Sequence, residues 1–189
     1  SAGAALAPGD AVISKESSYG SYNAEPMVSD DNVVFIQRLQ RTVRSLSYDY
    51  NKDAYLGPEL SVLAESLTVG GVNKVVYQRE PNSTYWFLKK DGSLLALVYD
   101  KEQDVVAWTK VVLAGEYTIV DLAVLPSATY QQDMLVLVVD RQINGSTKRY
   151  LELLTREFLD TLELKEVTFM DCSQRFVSET PTDTITGLS

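Results

Sequence analysis

Thr84–Val112, TYWFLKKDGSLLALVYDKEQDVVAWTKVV, decides how the rest of the chain is read. Three β-prone runs, TYWFLKK, SLLALVY and VVAWTKV, are separated by Asp91-Gly92 and by the polar turn DKEQD. That spacing predicts an antiparallel meander. Asp-Gly is a strong hairpin signal, because a type I′ turn holds both central residues at positive φ and these two residue types tolerate it best. In the first two runs both faces are apolar. Trp86 and Leu88 alternate with Tyr85 and Phe87, and Leu95 and Leu97 alternate with Leu94 and Val98. Strands of this kind predict a further layer on each side of their sheet.

Working outward, Val75–Arg79 (VVYQR) supplies a fourth strand ahead of the meander. Downstream a second cycle follows: a long strand at Tyr117–Leu125, a doubly apolar strand at Met134–Asp140, and a more polar outer strand at Arg149–Thr155. Asn144-Gly145 marks the tight turn between the last two. The doubly apolar strands recur about 40–50 residues apart, in the range of propeller blades. Arg156–Lys165 reads as a strand or irregular segment completing this cycle, and Val167–Met170 as a further short strand.

Toward the start, Asn32–Arg38 and Thr42–Tyr48 read as a hairpin. Its second strand places Val43, Ser45 and Ser47 on one face and Arg44, Leu46 and Tyr48 on the other, the pattern of a half-exposed edge. Gly57-Pro58-Glu59 then opens a short helix near 58–68, since proline suits the first helical position and Glu59 complements the helix dipole. Leu60, Leu63, Ala64 and Leu67 form its apolar stripe, expected to face the sheet, and Gly70-Gly71 stops it.

The fold predicted is mainly β: antiparallel four-stranded meanders arranged as a partial β-propeller, with a β-sandwich as the alternative. About two and a half blade-like units fall short of the roughly four to eight of a closed propeller. The organisation expected is an extended N-terminal segment over 1–31, a β-rich domain over 32–170, and a linker over 171–189 leading into a further domain. A first residue other than methionine, and a strand-like ending at Ile185–Ser189, predict a fragment of a longer protein.

Composition narrows the chemistry. A net charge of −9 offers no basic surface to grip a phosphate backbone. The chain contains no histidine and one cysteine, Cys172, which excludes an intrachain disulfide, a multi-cysteine zinc site and histidine-based triads. Cys172 reads as a small buried apolar residue. No apolar run approaches the ~18–20 residues that cross a bilayer. Paired carboxylates remain the one catalytic option, with Asp100, Glu102 and Asp104 in one turn and Asp49 and Asp53 in another. Solvated turn residues account for both groups, and core packing accounts for Trp86 and Trp108. The expectation is therefore no catalytic, cofactor or metal site.

A resemblance adds a function. The run Val33–Leu67, VVFIQRLQRTVRSLSYDYNKDAYLGPELSVLAESL, is similar to a segment of long proteins from short-tailed bacteriophages and prophages. Ser17-Ser18-Tyr19-Gly20 and Tyr77-Gln78-Arg79-Glu80-Pro81 match its flanks, and Asp91-Gly92, Leu97, Tyr99, Asp100, Gln103 and Trp108 continue in register. Val138–Gly145, followed by Arg149-Tyr150-Leu151-Glu152, resembles a later signature, and Thr184–Leu188 resembles the approach to a further domain. The family is tail tubular protein B, the tail nozzle, with its hub relatives. The chain departs from it at Leu39-Gln40, where Gly-Gly is common.

The resemblance implies a propeller-bearing structural subunit of a ring that contacts the adaptor and other tail proteins. DNA would pass it without specific binding, and its place would be the virion tail, assembled in the host cytoplasm. It implies no catalytic motif. A receptor-binding module and a tail-associated polysaccharide hydrolase are the competing readings.

Overall fold

The structure, a computed structural model, describes residues 15, 17–29, 31–128, 131–143 and 145–154. Residues 1–14 and 155–189 lie outside it, and with them the expected features at 156–165, 167–170, Cys172 and 185–189. The described chain is mainly β, in three antiparallel sheets.

The first sheet comprises β1 (Met27–Ser29), β2 (Asn32–Ile36), β3 (Val43–Asp49) and β4 (Ala54–Leu56), paired in that order. The predicted 32–48 hairpin is its centre. β3 is not an edge, however. Ala54–Leu56 pairs with Ser47–Asp49, and the chain then continues along β3, where Pro58 O accepts from Ser45 N at 3.1 Å and Leu60 N donates to Val43 O at 2.9 Å. Val43, Ser45 and Ser47 are all buried on one face. The serine hydroxyls are accommodated there by hydrogen bonds, Ser45 Oγ to Asn32 Oδ1 at 3.4 Å and Lys101 Nζ to Ser47 Oγ at 3.1 Å. β1 lies within the segment read as an extended lead-in, and its register runs Met27 to Val34 and Ser29 to Asn32.

The same ladder explains why the helix is shorter than the stripe predicts. Pro58 and Glu59 are held against β3, so coiling begins only after Ser61. A 3-10 turn at Val62–Ala64 leads into α1 (Glu65–Thr68). Leu60, Ala64 and Leu67 reach the core as predicted, whereas Leu63 is 93% exposed. A stripe at α-helical spacing misplaces residues once half the segment is extended or 3-10.

The central sheet forms from β5 (Val72–Gln78), β6 (Thr84–Lys89), β7 (Leu94–Asp100) and β8 (Val105–Val111), in chain order. Its two-faced strands divide between two cores. Tyr85, Phe87, Leu95 and Leu97 pack with Val34, Ile36, Val43 and Leu60 of the first sheet region. Trp86, Leu88, Leu94 and Ala96 pack with Ile119, Leu122, Leu135, Leu137 and Val139 of the third. Each such large side chain contributes about 1.5–3 kcal/mol on burial. The β6–β7 turn corrects the type I′ expectation: Gly92 alone is at positive φ, 78°. Gly92 N donates to Lys89 O at 3.1 Å and Lys89 N to Ser93 O at 3.0 Å, closing a three-residue connection.

The third sheet has the order β11-β10-β9, from β9 (Tyr117–Ser127), β10 (Gln132–Ile143) and β11 (Ser146–Leu153). Ile143 pairs with Ser146, leaving the predicted two-residue turn, in which Gly145 has φ 74°. Asp121 opposes Val138 and Ile119 opposes Val139, so Val120 is an extra residue that bulges β9. Pro126, which has no amide hydrogen, sits on the edge strand where none is needed. The strands that open each sheet come together: β5 contacts β1 on one side and β9 on the other.

Candidate functional site

Two open grooves flank the central sheet. The larger, about 710 Å³, lies between the first and central sheets, and Asp31, Asn32, Asn82, Tyr99, Lys101 and Glu102 are among its lining residues. The smaller, about 280 Å³, lies between the central and third sheets, against Gln78, Trp86, Gln132 and Asp133. Both are bordered by Pro81, Asn82 and Val98.

The carboxylates singled out by sequence are engaged in local turns. Asp100 Oδ1 accepts from Gln103 N at 2.9 Å, fixing the β7–β8 turn in which Asp104 takes φ 54°. Asp49 Oδ1 accepts from Asn51 N at 2.9 Å and Lys52 N at 3.3 Å. Asp53 accepts from the Tyr48 hydroxyl. Asp100 and Glu102 do reach the larger groove, where Lys101 instead pairs with Asp31 at 3.6 Å. Among the described residues no group of three or more His, Cys, Asp or Glu side chains is placed to hold a metal ion. No described helix is long and apolar enough to cross a membrane.

Both tryptophans are structural ties. Trp108 Nε1 donates to Leu60 O at 2.8 Å, joining β8 to the first sheet region, and its ring lies 5.0 Å from that of Phe87. Trp86 Nε1 donates to Gln78 Oε1 at 2.8 Å.

Three carboxylates titrate below their ordinary range. Partial burial pushes Asp91 up, but hydrogen bonds from Ser93 and the nearby Lys89 ammonium outweigh it and leave it lowered. Asp121 is lowered chiefly by Lys74, 2.7 Å away across the joint between β5 and β9. Asp140 is lowered by the two-pronged Arg149 contact at 2.7 and 2.8 Å. All three are held as anions by cations or hydroxyl and amide donors. None is poised to donate a proton near neutrality.

Several polar residues that sequence reading passed over do the joining. Arg44 looked like a solvent-facing strand residue, yet its side chain is 14% exposed. It donates to Gln37 Oε1 and Gly57 O, both at 2.8 Å, pairs with Glu59 at 3.4 Å, and lies 3.8 Å over the Tyr19 ring. Gly57 is confined in turn, since a Cβ there would sit 3.3 Å from that ring. Arg141 pairs with Glu152 across the β10–β11 ladder and donates to Ala114 O at 2.6 Å. Asp133 ties the loop after β5 to the start of β10, its Oδ2 accepting from Arg79 N at 2.9 Å and Glu80 N at 3.2 Å. The signal available in the sequence was a charge inside a β run, at Arg44 and Arg141, where a buried partner must exist.

Gly92 is the tightest of these joints. Its carbonyl accepts from Ile119 N at 3.0 Å, and an added Cβ would lie 2.5 Å from Thr118 Cγ2. The turn of one sheet is thereby seated on the backbone of the next.

No family model matches the sequence, and no curated protein matches it.

Proposed function

We propose that the chain is a structural component of a phage or prophage tail, a nozzle or hub subunit whose three sheets are successive blades of a partial β-propeller. The observation that carries this reading is where the resemblance-bearing residues lie. Tyr19, Arg44 and Gly57 meet in one joint, Trp108 bonds the Leu60 carbonyl, Gly92 seats on Ile119, and Arg141 and Glu152 pair across a ladder. Residues that would serve a tail protein by shape are thus spent on shape.

Further support comes from the topology. Each sheet is a simple meander, and the strands that open the sheets, β1, β5 and β9, are neighbours, as blades disposed about an axis require. The chain acts in this reading by self-association and by docking to the adaptor and other tail proteins. Its net charge of −9 keeps a passing polyanion from being retained on a conduit wall.

Immunogold electron microscopy tests the proposal, with antibody raised against this chain and particles released from the host that encodes it. Gold at the tail tip is expected. Gold absent from tailed particles would sink the reading. Retention of the purified chain on host cells, competed by surface polysaccharide, would move the assignment to a receptor-binding module seated in the larger groove. Polysaccharide turnover abolished by Asp100→Asn or Glu102→Gln would move it to a hydrolase.

A further inference from the structure

The third sheet has two faces, and cluster partners are present for one of them. Leu135, Leu137 and Val139 of β10 point into the core shared with the central sheet. The alternate residues Val136 and Val138 point the other way. Directly paired residues share a face, so Ala123 and Leu153 flank Val136, and Leu151 sits beside Val138. Leu125, next along β9 on that side, completes an apolar strip. Leu151 is 73% exposed, Leu153 58% and Leu125 54%. A contiguous apolar strip on a sheet face marks an interaction surface.

We propose that this face is the docking surface for the following segment of the same chain, within residues 155–189. Three observations favour that occupant. The chain leaves from the rim of the face: Leu153 belongs to it, and Leu154, the last described residue, still donates to Leu135 O at 2.9 Å. The thirty-five residues beyond it reach about 115 Å when extended at ~3.3 Å each, against a three-stranded sheet about 10–15 Å across. Their sequence also supplies apolar pairs at strand spacing: Leu162 and Leu164 alternate with Glu163 and Lys165, and, one residue out of phase with them, Val167 and Phe169 follow with Thr168 between them. A tethered segment competes at an effective concentration that about millimolar free partner would be needed to match. That places it ahead of a second copy. The inference stands apart from the tail reading, because the strip is apolar whatever the chain serves.

The single cysteine provides the test. Cys172 lies two residues beyond Met170, the end of the apolar run, so a nitroxide attached there in the full 189-residue chain reports its position. With leucine and valine methyls isotopically labelled, the signals of Val138, Leu151 and Leu153 should lose intensity relative to the reduced, diamagnetic sample. Those of Val34 and Val43, in the other core, should not. Leu151→Glu, on an exposed strand position, should abolish the loss at Val138 and Leu153 while the Leu137 and Val139 signals keep their positions. Far-face methyls unaffected by the nitroxide would overturn the proposal. So would losses that persist in Leu151→Glu, or that appear when spin-labelled chains are mixed with separately isotope-labelled ones, which is the signature of a second copy.

Discussion

The β5–β8 sheet and the β9–β11 sheet both carry strands with apolar residues on each side, yet among the described residues only the first is covered on both faces. The central sheet loads β6 and β7 with Tyr85, Trp86, Phe87, Leu94, Leu95 and Leu97, all buried. The third sheet is apolar on both faces chiefly along β10, and its flanking β9 and β11 present Thr118, Asp121, Lys148 and Arg149 to solvent. Val136 is buried all the same, screened by Ala123 and Leu153 on either side. A two-faced apolar strand therefore measures its neighbours as well as its layers. Several such strands side by side are what indicate a sandwiched sheet.

The sharpest way to break the comparison is at the best-covered position. Phe87→Ala removes a fully buried ring in contact with Trp108, and should lower the urea midpoint by the equivalent of about 3–5 kcal/mol. A loss below ~1 kcal/mol would show that the central sheet is not the principal core. The joint between the two sheets comes next. Gly92→Ala combines a positive φ with an overlap against Thr118, and should cost about 2–4 kcal/mol. Adding Thr118→Ser, which removes the clashing methyl, should recover part of that loss. Additive losses in the double variant would mean that Gly92 is not seated on β9.

Smaller effects sharpen the picture. Trp108→Phe keeps the ring packing and removes the hydrogen bond to Leu60, so calorimetry should register about 0.5–1.5 kcal/mol. The Lys74–Asp121 bridge adds a pH dependence. Asp121 titrates below its ordinary value of 3.8 in the folded chain, so its contribution is present above that pH and is lost as pH falls through the depressed folded value. Both partners are well exposed, so the contribution is less than ~1 kcal/mol and shrinks with added salt. Asp121→Asn should flatten that part of the acid profile. An unchanged profile would assign the acid sensitivity to other carboxylates.

Much of the fold was legible because alternation is a local signal. The strand runs of the central meander, the second cycle and the 32–48 hairpin all form close to their predicted positions. What failed was short or irregular. β1 and β4 have three residues each, too few to show a period, and missing β4 turned β3 into an apparent edge. The helix stripe misplaced Leu63 because Pro58-Glu59 is equally suited to extended backbone, and β3 offered it a ladder. Asp91-Gly92 signalled a turn correctly and its type incorrectly, since the ladder runs on past Leu88 and Leu94 to Lys89 and Ser93 and leaves three residues to connect. In the candidate site, the role of Arg44 was hidden because its partners come from three separate stretches, around Tyr19, Gln37 and Gly57–Glu59. Long-range polar joints of that kind leave no spacing to read.

The uncrossed order of the strands has a consequence for synthesis. Among the described residues each sheet draws all its strands from one unbroken stretch, so its ladders close over hairpin distances and no later described strand is threaded into an earlier sheet. Local closure of this kind favours rapid assembly, and a chain emerging from the ribosome can complete one sheet before the next is made. The apolar faces of the first and central sheets are then exposed only until the sheet that covers each of them arrives.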